Sequence, residues 1–142
     1  KILSGFHILR AMALGADGCN SARAMMMALG CIQALLCNTN RCPTGITTQD
    51  PQLTVGLVVE DKKHRVANYH EDTVKSFVEL LGAAGLEDMK QLTRSHIYRR
   101  VFMNEVRTFE DVFPSLQPGC LLNGNIPEKY KQDIEAASAD RW

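Results

Sequence analysis

The chain has 142 residues, the length of one ordinary domain, and its 45% hydrophobic and 23% charged content is that of a globular protein rather than a disordered one. Sixteen Lys and Arg balance sixteen Asp and Glu for a formal net charge of zero, which argues against a nucleic-acid partner and against an acidic solvating tail. The longest apolar stretch, Ala24 to Leu36, is 13 residues long and contains Gly30 and Gln33, short of the roughly 20 residues of a bilayer span.

Phe6, Leu9, Arg10 and Ala13 fall at helical spacing, and Gly15 supplies a stop. Ala16 to Cys19 reads as a short buried strand end. Asn20 and Ser21 are cap-type residues ahead of Ala22 to Leu29, a run of good helix formers. Helix, short strand and capped helix make the rhythm of a parallel α/β fold. Residues 30–51 then gather cysteines, asparagines, threonines, prolines and glycines around little apolar surface. A loop of that length inside a domain is usually functional.

From Asp61 the pattern is helical again. Ala67, His70, Val74, Phe77, Val78 and Leu81 form one apolar stripe ended by Gly85, with Lys63, Asp72, Lys75 and Glu79 on the opposite face. A shorter helix is expected over Glu87 to Leu92. Thr108 and Asp111 have the spacing of a capping box before a single turn ended by Pro114. Pro127 opens a last helix to about Ala137. The segment beyond residue 100 reads as a wrap-around extension without recognisable chemistry.

Five cysteines, four of them between residues 19 and 42, do not make the even, spread set of a secreted disulfide scaffold. No secretory signal is visible, so reduced thiols and a cytoplasmic location are expected. The chain starts without Met, inside what reads as an ordered element, which suggests a fragment. Cys31, Cys37 and Cys42 have the spacing C-x5-C-x4-C, closed by Pro43. Spacing alone leaves three readings open: an iron–sulfur cluster on an irregular loop, buried reduced thiols, or zinc, which prefers closer pairs and four ligands. Asn38, Thr39, Asn40, Thr44, Thr47 and Thr48 can donate to sulfides, and Gly30 and Gly45 permit tight turns. That setting favours the cluster. Cys19 and Cys120 lie outside the loop and read as structural.

The turn Asp17-Gly18-Cys19-Asn20-Ser21-Ala22-Arg23 leads into a helix start, where free N–H groups suit an anion such as phosphate. Read by itself, it is first of all an ordinary capped helix with a solvated arginine.

Taken together, Gly15-Ala16-Asp17, Asn20-Ser21-Ala22-Arg23, Ala28-Leu29-Gly30-Cys31-Ile32-Gln33, Cys37-Asn38-Thr39-Asn40-Arg41-Cys42-Pro43-Thr44-Gly45 and Thr48-Gln49-Asp50-Pro51 resemble the FMN-binding domain of glutamate synthases. The likeness is closest to the short FMN-binding glutamate synthase-like family, and it covers roughly residues 1 to 85. It implies a (β/α)8 barrel, which needs about 250 residues. This chain would supply its C-terminal part: helix seven, strand eight and helix eight over residues 1–85, then an extension over 86–142. As an isolated piece it would be mostly helical, with the apolar helix faces exposed where the barrel belongs. By position, Asn20, Ser21, Ala22 and Arg23 fall on the FMN phosphate turn, and Cys31, Cys37 and Cys42 on the ligands of a [3Fe-4S] cluster. The chain departs from the long glutamate synthases in having Asn20 and Ala22 in place of glycines. Asn38 stands where many members have His. Its tail is unlike their β-helical domain.

The resemblance implies reductive synthesis of L-glutamate from 2-oxoglutarate and ammonia or glutamine nitrogen. Electrons would come from ferredoxin or an NAD(P)H-oxidising subunit. The catalytic groups would lie on absent strands, so no catalytic residue is named and the fragment alone is expected to be inactive. Two alternatives are a related flavoenzyme acting on another amine, of the N-methylglutamate synthase type, and a stand-alone metal-binding or interaction module without flavin chemistry.

Overall fold

A computed structural model of the protein describes residues 1–137 and 140. The expected first helix is α1, Gly5–Ala13, followed by Gly15 at φ 104°, a left-handed backbone that glycine adopts without a Cβ penalty. Residues 16–19 form no strand. Only two strands occur among the described residues, and both lie far along the chain. A strand end with no neighbour has nowhere to place its ladder bonds.

The second helix, α2, covers Arg23–Ala28 with Ala22 at the cap position and no side-chain cap. The cap expected from Asn20 or Ser21 is therefore not made. Ser21 instead donates its hydroxyl to the Ile2 carbonyl at 2.9 Å, and Asn20 is exposed. Residues 30–50 are irregular as expected, and α3 begins at Pro51 (Pro51–Thr54), where the Asp50 carboxylate accepts from the Gln52 N–H. The long helix α4 spans Val59–Ala83, two residues earlier than its apolar pattern indicates.

The buried side of α4 is rotated from the expected stripe. Phe77 and Leu81 point inward, but Ala67 and His70 are exposed, as are Val74 at 41% and Val78 at 57%. Half-buried Val66, Tyr69, Thr73, Ser76 and Leu80 take their places. The row that α1 covers is mixed, with Thr73 and Ser76 in it, while the more apolar row beside it stays exposed at Val74 and Val78. The approach of α1 is close because Gly5 has no side chain: a Cβ there would stand 2.5 Å from the Phe77 amide nitrogen.

The expected helix over residues 87–92 is one turn of 3-10 helix, Met89–Gln91, capped by Asp88. A second such turn spans Arg94–His96. An antiparallel hairpin follows, β1 (Tyr98–Phe102) and β2 (Glu105–Thr108), pairing Tyr98 with Thr108 and Arg100 with Val106, with an irregularity between Arg100 and Phe102. The sequence reading does not contain this hairpin. The bulge breaks the period-2 alternation that marks a strand. The capping box holds: Thr108 and Asp111 cap α5, Phe109–Val112. The last helix also holds, as α6, Glu128–Ala136.

The main core unites Leu9, Ala13, Leu81, Leu92, Ile97 and Phe109, drawing residues from both sides of position 85. Helices make up most of the regular structure. None of the helices among the described residues is long and apolar enough to cross a membrane.

Candidate functional site

The loop after α2 is set by its backbone. Gly30 (φ 106°) and Gly45 (φ 77°) take left-handed conformations, and so do three residues with side chains: Gln33 (58°), Leu35 (58°) and Asn40 (61°). At Gln33 and Leu35 this costs of order 1 kcal/mol or more each, and such strain clusters at sites where geometry has a use. Leu35 is 85% exposed, so no burial of its side chain offsets the cost. The loop therefore holds a shape that its residues do not prefer individually.

This shape brings the three cysteines around one small concavity, lined by Cys31, Cys37 and Cys42 with Leu36, Pro43 and Thr44 among others. Cys42 is buried, Cys31 half-buried and Cys37 exposed, and all three are free thiols. The concavity is only about 10 Å³. A larger cavity of about 330 Å³ adjoins it, lined by Ala22, Arg23, Met26, Cys31, Gln33, Leu35 and Cys37. Cys31, Leu35 and Cys37 line both. Among the described residues, no three His, Cys, Asp or Glu side chains are gathered closely enough to hold one metal ion.

The thiols are not equivalent. The Cys42 thiol is pulled down from 9.0 to about 6, first by the Thr44 hydroxyl, then by the amide and hydroxyl of Thr47 and the Thr44 amide, against the opposing effect of burial. The Thr44 hydroxyl stands 3.3 Å from its sulfur. The Thr47 hydroxyl oxygen is buried and acts on the Cys42 sulfur. These contacts favour the Cys42 thiolate, the form that binds metal. Cys31 receives the Gln33 N–H at 3.4 Å.

At the start of α2 the first helical bond runs from the Met26 N–H to the Ala22 carbonyl at 3.0 Å, so the amides of residues 23–25 precede it without helix partners. Ala22 and Arg23 border the larger cavity. Asn20 does not border it, and the Ser21 hydroxyl is engaged by Ile2. Of the four expected phosphate-turn residues, the fold thus places two beside the cysteines. Thr44 and Thr47, expected from the sequence as donors to cluster sulfides, act on the Cys42 sulfur. Gln33 is a contact that the sequence does not signal, since it depends on a left-handed turn at a residue other than glycine. Cys19 and Cys120 lie outside both cavities, Cys120 buried and Cys19 half-buried.

The family described as "Conserved region in glutamate synthase" matches residues 1–87. More than half of the chain is covered, and the chain belongs to the glutamate synthase family. Among individual proteins it is similar to the glutamate synthase large subunit-like protein YerD of Bacillus subtilis, with 44% identity over 100 residues, covering 70% of this chain and 19% of the relative. It is 41% identical over 85 residues to the archaeal glutamate synthase [NADPH] of Methanocaldococcus jannaschii, covering 60% of this chain and 17% of that protein. Against the glutamate synthase [NADH] of Saccharomyces cerevisiae the identity is 26% over 137 residues, 94% of this chain but 6% of the yeast protein. The chain thus spans about a fifth or less of the length of these relatives. No solved structure matches it.

Proposed function

We propose that this chain forms the C-terminal part of a (β/α)8 barrel in a short-form glutamate synthase, an oxidoreductase using FMN and a [3Fe-4S] cluster to make L-glutamate. Residues 1–85 carry the barrel end and the cysteine loop, and residues 86–142 form the extension. The family match, which stops at residue 87, supports that division. The exposed row of α4 at Val74 and Val78 is consistent with a surface that a barrel would cover.

The observation that carries the proposal is the cavity lined jointly by Ala22, Arg23, Cys31 and Cys37. It sets a helix start with free amides next to two of three cysteines. The residues also fit a cluster in kind. Three thiols border one concavity, Cys42 is thiolate-prone, and the Thr44 and Thr47 hydroxyls act on its sulfur.

In this reading Cys31, Cys37 and Cys42 would hold the cluster, and Thr44 and Thr47 would favour the thiolate of Cys42. The amides of residues 23–25 and the Arg23 guanidinium would take the phosphate, with Asn20 and Ser21 shaping the turn. When bound, the cluster passes electrons singly and FMN delivers hydride. The overall reaction condenses 2-oxoglutarate with ammonia or glutamine nitrogen, releasing water to give the imine. Two electrons and the accompanying protons then give L-glutamate. The electrons come from ferredoxin or an NAD(P)H-oxidising subunit. The names of the archaeal and yeast relatives give NADPH and NADH for those proteins.

The deciding experiment is anaerobic iron and acid-labile sulfide analysis of the full-length protein, with EPR of the oxidised form and Cys37→Ala alongside. About three irons per chain, with the [3Fe-4S] signal abolished in the variant, is the expected result. Zinc, or no metal in folded protein, would sink the proposal.

A further inference from the structure

We propose that Asn40 is a positioning residue for Cys42: it latches residues 40–50 into a closed ring that holds the Cys42 sulfur in place. The proposal deepens the reading of Cys42 as a cluster ligand and rests on it for the ligand's identity.

Asn40 lies between Cys37 and Cys42 at φ 61°, and among residues with side chains asparagine tolerates that backbone well. Its carbonyl accepts the Thr48 hydroxyl at 2.7 Å. Its side-chain Oδ1 accepts the Gln49 N–H at 2.7 Å and lies 3.3 Å from the same Thr48 hydroxyl. The Thr48 oxygen in turn accepts from the Asp50 N–H at 3.1 Å, and the Asp50 carboxylate accepts from the Gln52 N–H at 2.9 Å. One chain of hydrogen bonds thus runs from residue 40 to the first turn of α3.

The ring encloses Cys42 together with Thr44 and Thr47, the residues that act on its sulfur. It is seated against α3 by bare backbone, since a Cβ at Gly45 would stand 2.5 Å from the Leu53 carbonyl oxygen and 3.0 Å from the Leu57 nitrogen. A ligand on a long irregular loop is useful only if its supporting residues fix it closely. Left-handed tolerance and a short side-chain acceptor are both needed at this position, and asparagine offers both.

The test compares Asn40→Gly and Asn40→Asp with the wild type in the full-length protein. Glycine keeps the backbone and removes the side-chain acceptor, whereas aspartate retains an acceptor oxygen. Hydrogen exchange read in the metal-free protein should show the Gln49 amide exchanging about five- to tenfold faster in Asn40→Gly. Loss of iron to a chelator should be about tenfold faster in that variant, with the thermal melting of the α1–α4 body unchanged. Asn40→Asp should stay close to the wild type in both readouts.

Unchanged exchange in Asn40→Gly overturns the proposal, as does faster exchange with unaltered iron loss. So does an Asn40→Asp protein that behaves like Asn40→Gly. A folded wild type that takes up no iron sinks the cluster reading instead, and the exchange comparison alone then decides whether Asn40 holds the ring.

Discussion

Arg94 donates from its guanidinium to the Leu14 carbonyl at 3.1 Å, across 80 positions of sequence. Its other terminal nitrogen donates to the Phe113 carbonyl. One side chain therefore ties the end of α1, the 3-10 turn and the end of α5 together, beside the core of Leu9, Ala13, Leu92, Ile97 and Phe109. Leu92, Ile97 and Phe109 thus share one core with α1 and α4.

Replacing Arg94 by Ala removes both contacts and leaves two carbonyls to water. The residue is half-buried, so a loss of about 1–2 kcal/mol is expected, toward the low end for charge-assisted hydrogen bonds. Arg94→Lys should recover little, because one ammonium cannot span the two acceptors as the planar fork does. Urea unfolding of the three proteins gives the comparison.

Two glycines should respond oppositely to alanine. Gly5→Ala drives a methyl into the Phe77 and Ser76 backbone, and overpacking of that sort costs about 1–3 kcal/mol. Gly82, inside α4, has nothing within 4 Å of a Cβ, so Gly82→Ala should gain about 0.5–1 kcal/mol from the lower entropy of the unfolded chain. Opposite shifts in melting temperature would bear this out. Equal shifts would mean that α1 does not lie against α4 at Gly5.

Gly45→Ala should impair the cysteine loop specifically. The substitution meets both the left-handed backbone and the Leu53 carbonyl. Iron content should fall well below that of a Gly18→Ala control, where nothing lies within 4 Å of the added Cβ. Equal iron contents would show that the seating of the loop on α3 does not matter to the ligands.

The α5 cap predicts an acid-side weakening. The Thr108 hydroxyl, its amide and then Arg107 hold the Asp111 carboxyl below its usual 3.8. A depressed folded-state value contributes stability that is complete above the unfolded value and lost as pH falls through the folded one. Protection of the Thr108 amide, which donates to Asp111 at 3.0 Å, should therefore hold at pH 5 to 7, taken as roughly a unit or more above that usual value. It should decline only below the usual carboxylate range. Thr108→Ala should move that decline to higher pH.

Local signals were legible from the residues themselves. The helix over residues 5–13 with its stop at Gly15, the Thr108–Asp111 capping box, the helix after Pro127 and the irregular cysteine loop all follow from spacing and turn chemistry. Each is settled by residues within a few positions of one another. Family membership was legible for the same reason, because the cysteine spacing and its polar setting occupy one continuous run. Which row of α4 is covered, the absence of a strand at residues 16–19 and the hairpin at 98–108 were not legible. These depend on what packs alongside: α1 against Gly5 and Phe77, a missing neighbour strand, a bulge at Arg100. The tertiary structure alone also brought Arg23 and Cys31 to one cavity, Thr47 to Cys42 and Asn40 to Gln49. Those approaches depend on left-handed turns at Gln33, Leu35 and Asn40, a conformation that asparagine tolerates but that glutamine and leucine disfavour and only the closed loop holds in place.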